Sequence, residues 1–410
     1  MRIAEILKSR FNYEVKILTS NAIDFKALRS PKGKIVKKNN KFFSSVNNLE
    51  IERLSINYDK TVEQKMKNLE QFGINRMLNL PNAAIKKLLH NGPYLNNVQE
   101  HFNELEDNNY DIIHTTYYPY FNLIYALIIA RKLNIPSICT PFFHFSNPRY
   151  LDSNMINVLK EFDFLIACTE IEKRKLHEIL NIDYEKIHVI PMGVDPEVYN
   201  NDARKHHGFD FKTHYFQKKE RNYKMILFCG YKNFEKGAIS ILKALPKIIS
   251  KYKKIYFVFI GPSTIAFNRE LSRIHKNKYI RVINLTPDNL KGYLDEKKIS
   301  AFKNSDIYLM PSRSDAFGIA FLEAWAAGKP VIGANIGATP QVIRDNIDGF
   351  LVEFGNTDDI CKKVLTLLKS KRLRNKFGAA GKVKVLRCFN WQKVVEQTLE
   401  LYKQIEEGKN

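Results

Sequence analysis

Residues 312–323 read Ser-Arg-Ser-Asp-Ala-Phe-Gly-Ile-Ala-Phe-Leu-Glu. Two acids, Asp315 and Glu323, stand on either side of the point where a small-residue loop turns into an apolar helical pattern. A loop entering a helix presents unpaired backbone N–H groups at the positive end of the helix dipole, which suits a phosphate. Gly318 would let the backbone approach such a group closely. Glu323, one turn into the helix, could accept hydrogen bonds from a ribose, and Asp315, on the loop, could hold sugar hydroxyls. The residue types alone therefore describe either a nucleotide or phospho-sugar site or a plain amphipathic helix whose acid complements the dipole.

The segment continues as Ala-Trp-Ala-Ala-Gly-Lys-Pro-Val-Ile over 324–332. With Asp315 and Glu323 as its acids, it resembles the E-x7-E signature of the family-4 retaining glycosyltransferases. Further landmarks of the resemblance are Ile-Pro-Met-Gly-Val-Asp-Pro (190–196), Glu-Lys-Gly (235–237), Ile-Gly-Pro (260–262), Met-Pro-Ser-Arg (310–313), Asp348 to Val352 and Asn390-Trp391. The usual first Glu is Asp here, one methylene shorter. The resemblance implies a GT-B fold: two doubly wound, parallel-sheet, Rossmann-like α/β domains facing a cleft. It implies a retaining transferase taking a nucleotide-diphosphate sugar as co-substrate, with a glycan or lipid-linked acceptor. Rival readings are a sugar-nucleotide epimerase, a polysaccharide synthase, or a non-catalytic subunit that binds sugar nucleotides.

Such chemistry needs an anionic leaving group to be stabilised. No Asp-x-Asp metal motif and no Cys/His cluster occurs in the sequence, so no metal and no further cofactor are expected, and protein cations must neutralise the diphosphate. Lys236 is the best cation, followed by Gly237 and placed just after the first strand of the second domain. The family usually carries an arginine near position 231. Tyr231 stands there, with Lys232 beside it, and Lys232 or Arg313 is the expected substitute. Gly261, Phe317, Gly318, Ile319 and Glu323 complete the expected donor contacts. In the first domain the resemblance points to His144, in Thr-Pro-Phe-Phe-His (140–144), as the histidine that orients the sugar or polarises the reacting centre. Some relatives place it where this chain has Phe142, and His114 is a competitor. The expected catalytic set is His144, Asp315 and Lys236.

Those groups require two domains, as a chain of 410 residues does on size alone. Alternating strand and helix patterns place strands at 111–114, 137–140, 164–168 and 187–191, then at 225–229, 255–260, 280–285, 306–310, 329–333 and 350–352. The expected division is 1–195 for an acceptor-side domain, 196–222 for a polar linker with an insertion, and 223–388 for a donor-nucleotide domain. Residues 389–410 would form a helix crossing back to the first domain. The stretch 121–133 reads as a buried helix, and 81–98 as a helix over the acceptor cleft. A helix at 3–11 and a strand at 13–19 open the chain without the strand and glycine loop that normally come first in a nucleotide-binding α/β domain. The expectation is a start upstream of Met1, where in-frame codons encode an apolar strand and at least two glycines. The first sheet should then show a gap or a substitute strand at its centre.

The formal charge is +22, from 65 basic and 43 acidic residues. A basic face could meet anionic lipid headgroups; equally, lysine runs are spread along the whole chain, as a compositional bias would leave them. No segment resembles a nucleic-acid-binding module, so no nucleic acid partner is expected. The five cysteines are scattered, which suits a reducing compartment. No apolar run reaches the roughly 20 residues of a spanning helix, and no signal-peptide pattern opens the chain. The expected location is cytoplasmic, peripheral on the inner membrane face.

Overall fold

The computed structural model describes residues 1–37, 45–96, 109–200, 209–274, 277–292 and 294–408. They divide into two compact units. Unit 1 is Met1–Ile190 with Val394–Asn410, and unit 2 is Pro191–Lys393.

In unit 1 the strands are β1 (Lys16–Ser20), β2 (Ser45–Val46), β3 (Leu49–Leu54), β4 (Ile113–Thr116), β5 (Ser137–Thr140), β6 (Phe164–Ala167) and β7 (Ile187–Val189). They form two sheets, not one. One has the order β1-β3-β2 and the other β4-β5-β6-β7. The second is parallel throughout. In the first, β1 pairs with β3 in parallel, and β2 returns onto β3 through Asn47 and Asn48. Both asparagines have positive φ (53° and 64°), the backbone a two-residue type I′ hairpin turn needs. Among the described residues no strand joins β1 to β4, which is the interruption expected at the centre of this sheet. β4 is only half-buried along its length, not buried as its Ile-Ile sequence suggests, since a ladder covers it on the β5 side alone.

The core of unit 1 gathers around the helix Asn122–Leu133, buried from Leu123 through Ala130 as its apolar run requires. The helix expected over 81–98 runs only from Asn82 to Asn91. Gly92 and Pro93 stop it, and Val98 lies outside the described residues.

Unit 2 carries β8 (Lys224–Cys229), β9 (Ile255–Ile260), β10 (Val282–Leu285), β11 (Ile307–Met310), β12 (Val331–Ala334) and β13 (Gly349–Val352). Its sheet is parallel throughout, in the order β10-β9-β8-β11-β12-β13. Strands covered by helices on both faces must be apolar at nearly every position, and β9 (Ile-Tyr-Phe-Val-Phe-Ile) is buried at all six. The chain order reverses between β8 and β11. Neighbouring connections there leave for opposite faces of the sheet and open a crevice beyond the strands' carboxyl ends.

The stretch read from composition as a linker is partly built into unit 2. Residues 201–208 lie outside the described residues, but the helix Phe211–Tyr215 follows. Phe211 is fully buried, and Phe216 stacks on Tyr256 of β9 with ring centroids 3.8 Å apart. The Glu220 carboxylate accepts from both the Arg281 guanidinium and the Tyr256 hydroxyl. Lys212, His214, Lys218 and Lys219 around these aromatic residues hide the apolar anchors from a composition count. Phe211→Ala should therefore cost about 3–5 kcal/mol in a urea-unfolding titration, as core truncations do. A change within about 0.5 kcal/mol, the surface value, would mean that the segment is a tether.

Candidate functional site

The loops that follow β8 and β11 meet at the crevice of unit 2. Gly237 has φ +76°, and a Cβ on it would lie 2.3 Å from the carbonyl oxygen of Pro311. Only glycine lets the first loop come this close to the second. Around that contact Arg313 donates to Glu235 through Nε at 2.9 Å and a terminal nitrogen at 2.6 Å. The Arg313 N–H donates to the Glu235 carbonyl at 2.8 Å. A two-pronged guanidinium–carboxylate contact fixes orientation as well as distance.

Lys236 emerges beside this clasp. Its ammonium donates to a carboxylate oxygen of Asp315 and to the carbonyl of Ser314, both at 2.9 Å. Two residues 79 positions apart, the expected phosphate cation and the expected sugar-binding acid, are thus brought together, each about a fifth exposed or less. Three residues beyond Asp315, Gly318 takes φ +92° and opens the helix Ile319–Ala326 with no side chain capping it. Its first N–H groups are suited to receive an anion. Phe317 is buried with its ring 5.4 Å from that of Phe389, so it can serve the site through its backbone, not its ring. Ile319 is half-buried and Tyr231 is 47% exposed.

Two expected donor residues are otherwise engaged. Lys232 is fully buried, and its ammonium donates to the Asn284 side chain and the Leu285 carbonyl at the end of β10. Burial pushes its pKa down to about 8. Lys232 is therefore a buried tie to β10 and not the spare cation of the crevice; β9 and β10 lie on the β8 side, away from β11. Gly261 sits at the end of β9, its backbone packed against that of Gly230.

Glu323 is 2% exposed, and one of its oxygens accepts from both the Lys298 ammonium and the Tyr199 hydroxyl at 2.7 Å. The sequence reading missed both partners. Lys298 lies 25 residues upstream on the helix Glu296–Asn304, and no local spacing links the two. Glu323 is thus part of the unit's interior as well as a candidate ribose acceptor, and the fold depends on it more than a surface contact would require.

In unit 1 the segment after β5 holds His144, half-buried, with its ring 4.8 Å from that of Tyr150. Phe142, two residues earlier, has φ +49° and packs on Tyr117. The Phe143 N–H donates to Glu172 Oε1 at 2.7 Å, while Glu172 Oε2 accepts from the Cys168 N–H, also at 2.7 Å. One fully buried carboxyl group therefore pins the His144 loop to the end of β6. Burial pushes the Glu172 pKa up to about 8 against the pull of those two N–H groups. The sequence carries a signal for it, the Thr-x-x-Glu spacing of a capping box at Thr169–Glu172. Thr169 does cap the helix Glu170–Leu180, but Glu172 bonds the backbone of Cys168 and Phe143.

His114, the competitor, lies on β4 with both ring nitrogens bonded, Nδ1 to the Tyr402 hydroxyl at 2.6 Å and Nε2 to Thr140 Oγ1 at 2.8 Å. Burial, helped by the charge of the Met1 amino group, pushes its pKa down to about 4. It is a neutral, structurally committed histidine.

Two family models match the chain: Glycosyl transferases group 1 over residues 210–384 and Glycosyltransferase Family 4 over 63–198. An uncharacterized glycosyltransferase of Methanocaldococcus jannaschii is 26% identical over 262 residues, covering 62% of this chain and 64% of that one. A phosphatidyl-myo-inositol mannosyltransferase of Mycobacterium tuberculosis is 27% identical over 248 residues, 58% of this chain and 59% of its own. The chain thus matches less than two thirds of the length of these two relatives. Among solved structures, Anabaena HepE in complex with UDP and glucose superposes with a TM-score of 0.65 over 87% of each chain, at 13% identity.

Two outcomes follow from the geometry. Glu323→Ala removes the carboxylate that pairs with the buried Lys298 ammonium, and breaking such a pair costs about 3–5 kcal/mol; urea unfolding should show that loss even without ligand. For Glu172, the folded state keeps its proton up to about pH 8, while the unfolded chain releases it near the ordinary glutamate value of 4.5. Raising the pH through that window favours unfolding. The melting temperature of the wild type should fall relative to that of Glu172→Gln between those two values. Parallel profiles would show that the carboxyl titrates normally.

Proposed function

The chain belongs to the family-4 glycosyltransferases, with a GT-B type of fold, and from that premise we propose a retaining, metal-independent enzyme that moves a sugar from a nucleotide-diphosphate donor to a lipid-linked or cell-surface glycan acceptor. The observation that carries the reading is the order reversal between β8 and β11, which sets Lys236, Asp315 and the uncapped helix at Gly318 around one crevice. In the proposed binding mode, the diphosphate draws the Lys236 ammonium away from Asp315 and lies against the first N–H groups of the helix. Asp315, released from that pair, accepts hydrogen bonds from sugar hydroxyls. Lys236 and the helix terminus then stabilise the charge that grows on the leaving phosphate as the glycosidic bond breaks, the part of catalysis that fixed dipoles and cations serve best.

His144 is proposed to orient the sugar, held by the Glu172 pin. Retention through front-face attack needs no protein nucleophile, and none is assigned. Metal independence rests on the sequence, where Lys236 stands in for the cation that an Asp-x-Asp motif would hold. The acceptor class draws on the charge of +22 and on the lipid named for the mycobacterial relative. Among the described residues no helix is long and apolar enough to cross a membrane.

The decisive experiment offers a panel of nucleotide-diphosphate sugars to the purified chain, then follows donor turnover and the anomeric configuration of the product by NMR. Lys236→Ala should weaken donor binding by about 10- to 150-fold, the worth of a charged hydrogen bond of about 1.5–3 kcal/mol, with the melting temperature kept. Turnover should persist in excess chelator; a loss restored by magnesium would overturn metal independence. Binding to anionic vesicles should drop steeply as salt shortens screening to about 8 Å. Equal partitioning onto neutral vesicles would remove the charge argument for a membrane-borne acceptor.

A further inference from the structure

The amino-terminal ends of the unit 2 strands, opposite the crevice, carry a second concentration of charge. Asp306, just ahead of β11, ties that strand to β8. Its carboxylate accepts from the Met225 N–H at 3.0 Å, and its own N–H donates to the Met225 carbonyl at 2.8 Å. Basic side chains from four elements gather around it. Lys224, the first residue of β8, donates to one carboxylate oxygen at 2.9 Å. Lys212, on the helix Phe211–Tyr215, reaches the other at 3.4 Å. Arg374, on the helix Lys371–Cys388, brings Nε within 3.9 Å. Lys329 stands in the turn ahead of β12. The ladder that pairs Tyr308 with Val331 sets it level with Asp306. That turn is packed on the helix of Arg374, where a Cβ on Gly378 would lie 2.0 Å from the Gly328 carbonyl oxygen.

One carboxylate cancels only one of these charges. Asp210, the other acid that Lys212 feels, is taken up in capping its helix, where it accepts from the Thr213 N–H at 2.6 Å. Lysines spread by a compositional bias stay in water, where salt screens them from one another. These are recessed, with the Lys224 side chain 29% exposed and that of Arg374 8%, and like charges repel more strongly where water is scarce. Burial lowers the Lys329 pKa, and Lys212, Lys224 and Arg374 push it the same way against the pull of Asp306. Two of the cations have other anchors. Lys212 donates to the Tyr223 carbonyl, and Arg374 to the carbonyls of Leu367 and Leu368. The Lys329 ammonium has no hydrogen-bond partner among the described residues. A cluster of this kind is short of an anion.

We propose that this cluster binds the phosphate group of a small soluble molecule, gripped between the ammonium groups of Lys224 and Lys329. Both have donors to spare. An ammonium carries three N–H groups, and Lys224 gives one of them to Asp306. β8 and β12 flank β11, so at this edge their backbones stand about 10 Å apart, a span that two lysine side chains can close around one anion. A phosphate monoester brings nearly two negative charges and several acceptor oxygens at neutral pH, which suits a cluster with one carboxylate and several cations. The recess favours a small molecule over a headgroup in a flat bilayer. β8 is six residues long, so the site lies roughly 20 Å from the crevice at the other end of the sheet. It is independent of what the crevice binds.

The test offers inorganic phosphate, glycerol 3-phosphate and vesicles of phosphatidic acid to the intact chain and to Lys329→Gln and Lys224→Gln. A soluble phosphate should raise the melting temperature of the wild type. Each variant should bind it about 10- to 150-fold more weakly, the worth of one charged hydrogen bond. Without phosphate, Lys329→Gln should melt no lower than the wild type, because it removes a repelled charge. Followed by NMR, the Lys329 ammonium should titrate at higher pH with phosphate bound, by about one unit for each tenfold of coupling. Lys236→Ala, at the crevice, should leave the Lys329 response in place. The proposal is overturned if phosphate stabilises both variants as much as the wild type, or if the Lys329 titration does not move. It is equally overturned if only the vesicles act, if phosphate slows hydrogen exchange in the crevice loops alone, or if phosphate-free Lys329→Gln melts lower than the wild type.

Discussion

Two rungs of one ladder, Ile307 against Ile226 and Tyr308 against Leu227, hold β11 beside β8. The organisation of unit 2 follows from that pairing. Because both strands are parallel and their connections leave for opposite faces, the loops after them must diverge at the sheet edge and then meet again through side chains. The Tyr308 hydroxyl helps by donating to the Cys229 carbonyl at 3.0 Å, at the end of β8. Without this adjacency Lys236 and Asp315 would belong to different parts of the surface. With it they share a hydrogen bond, and the uncapped helix terminus at Gly318 stands three residues away.

The pairing of charges in that crevice decides which residues are available for chemistry. Arg313 is committed to Glu235 and Lys232 to β10, so the cation left beside the helix terminus is the one paired with Asp315. A lysine held by a carboxylate is already partly desolvated and oriented, and in the proposed binding mode an incoming diphosphate would exchange one anion for another. Glu323 joins the same region to the interior through Lys298 and Tyr199. If Glu323 also takes the proposed donor contact, donor recognition and the stability of unit 2 meet at that residue.

The sequence was most informative where burial on both faces leaves a continuous apolar run. Ile255–Ile260 and Ser137–Thr140 are strands with the bounds their patterns suggest, while Lys236 and Asp315, singled out by the resemblance and not by any spacing, share a hydrogen bond across 79 positions. It was least informative where a contact is made by residues far apart in the chain. Lys298 with Glu323, Glu172 with Phe143 and Lys232 with Leu285 leave no periodic trace. Composition misled over residues 209–223, because two buried aromatic anchors, Phe211 and Phe216, stand among charged and polar residues that look like a linker until they are seen packed. The two candidate histidines illustrate the same limit. Both follow apolar strand residues, yet His114 has both ring nitrogens bonded to side chains while His144 lies on a loop held by Glu172.

If the β8/β11 crevice of unit 2 receives the nucleotide-diphosphate sugar, hydrogen–deuterium exchange of the intact chain will show it, measured with and without a saturating nucleotide-diphosphate sugar. Exchange should slow in two separate stretches, residues 230–238 and 312–321, with the amides following Gly318 among the most affected and those of β12 and β13 unchanged. Slowed exchange confined to other parts of the chain, or none at ligand concentrations that shift the melting temperature, would contradict it.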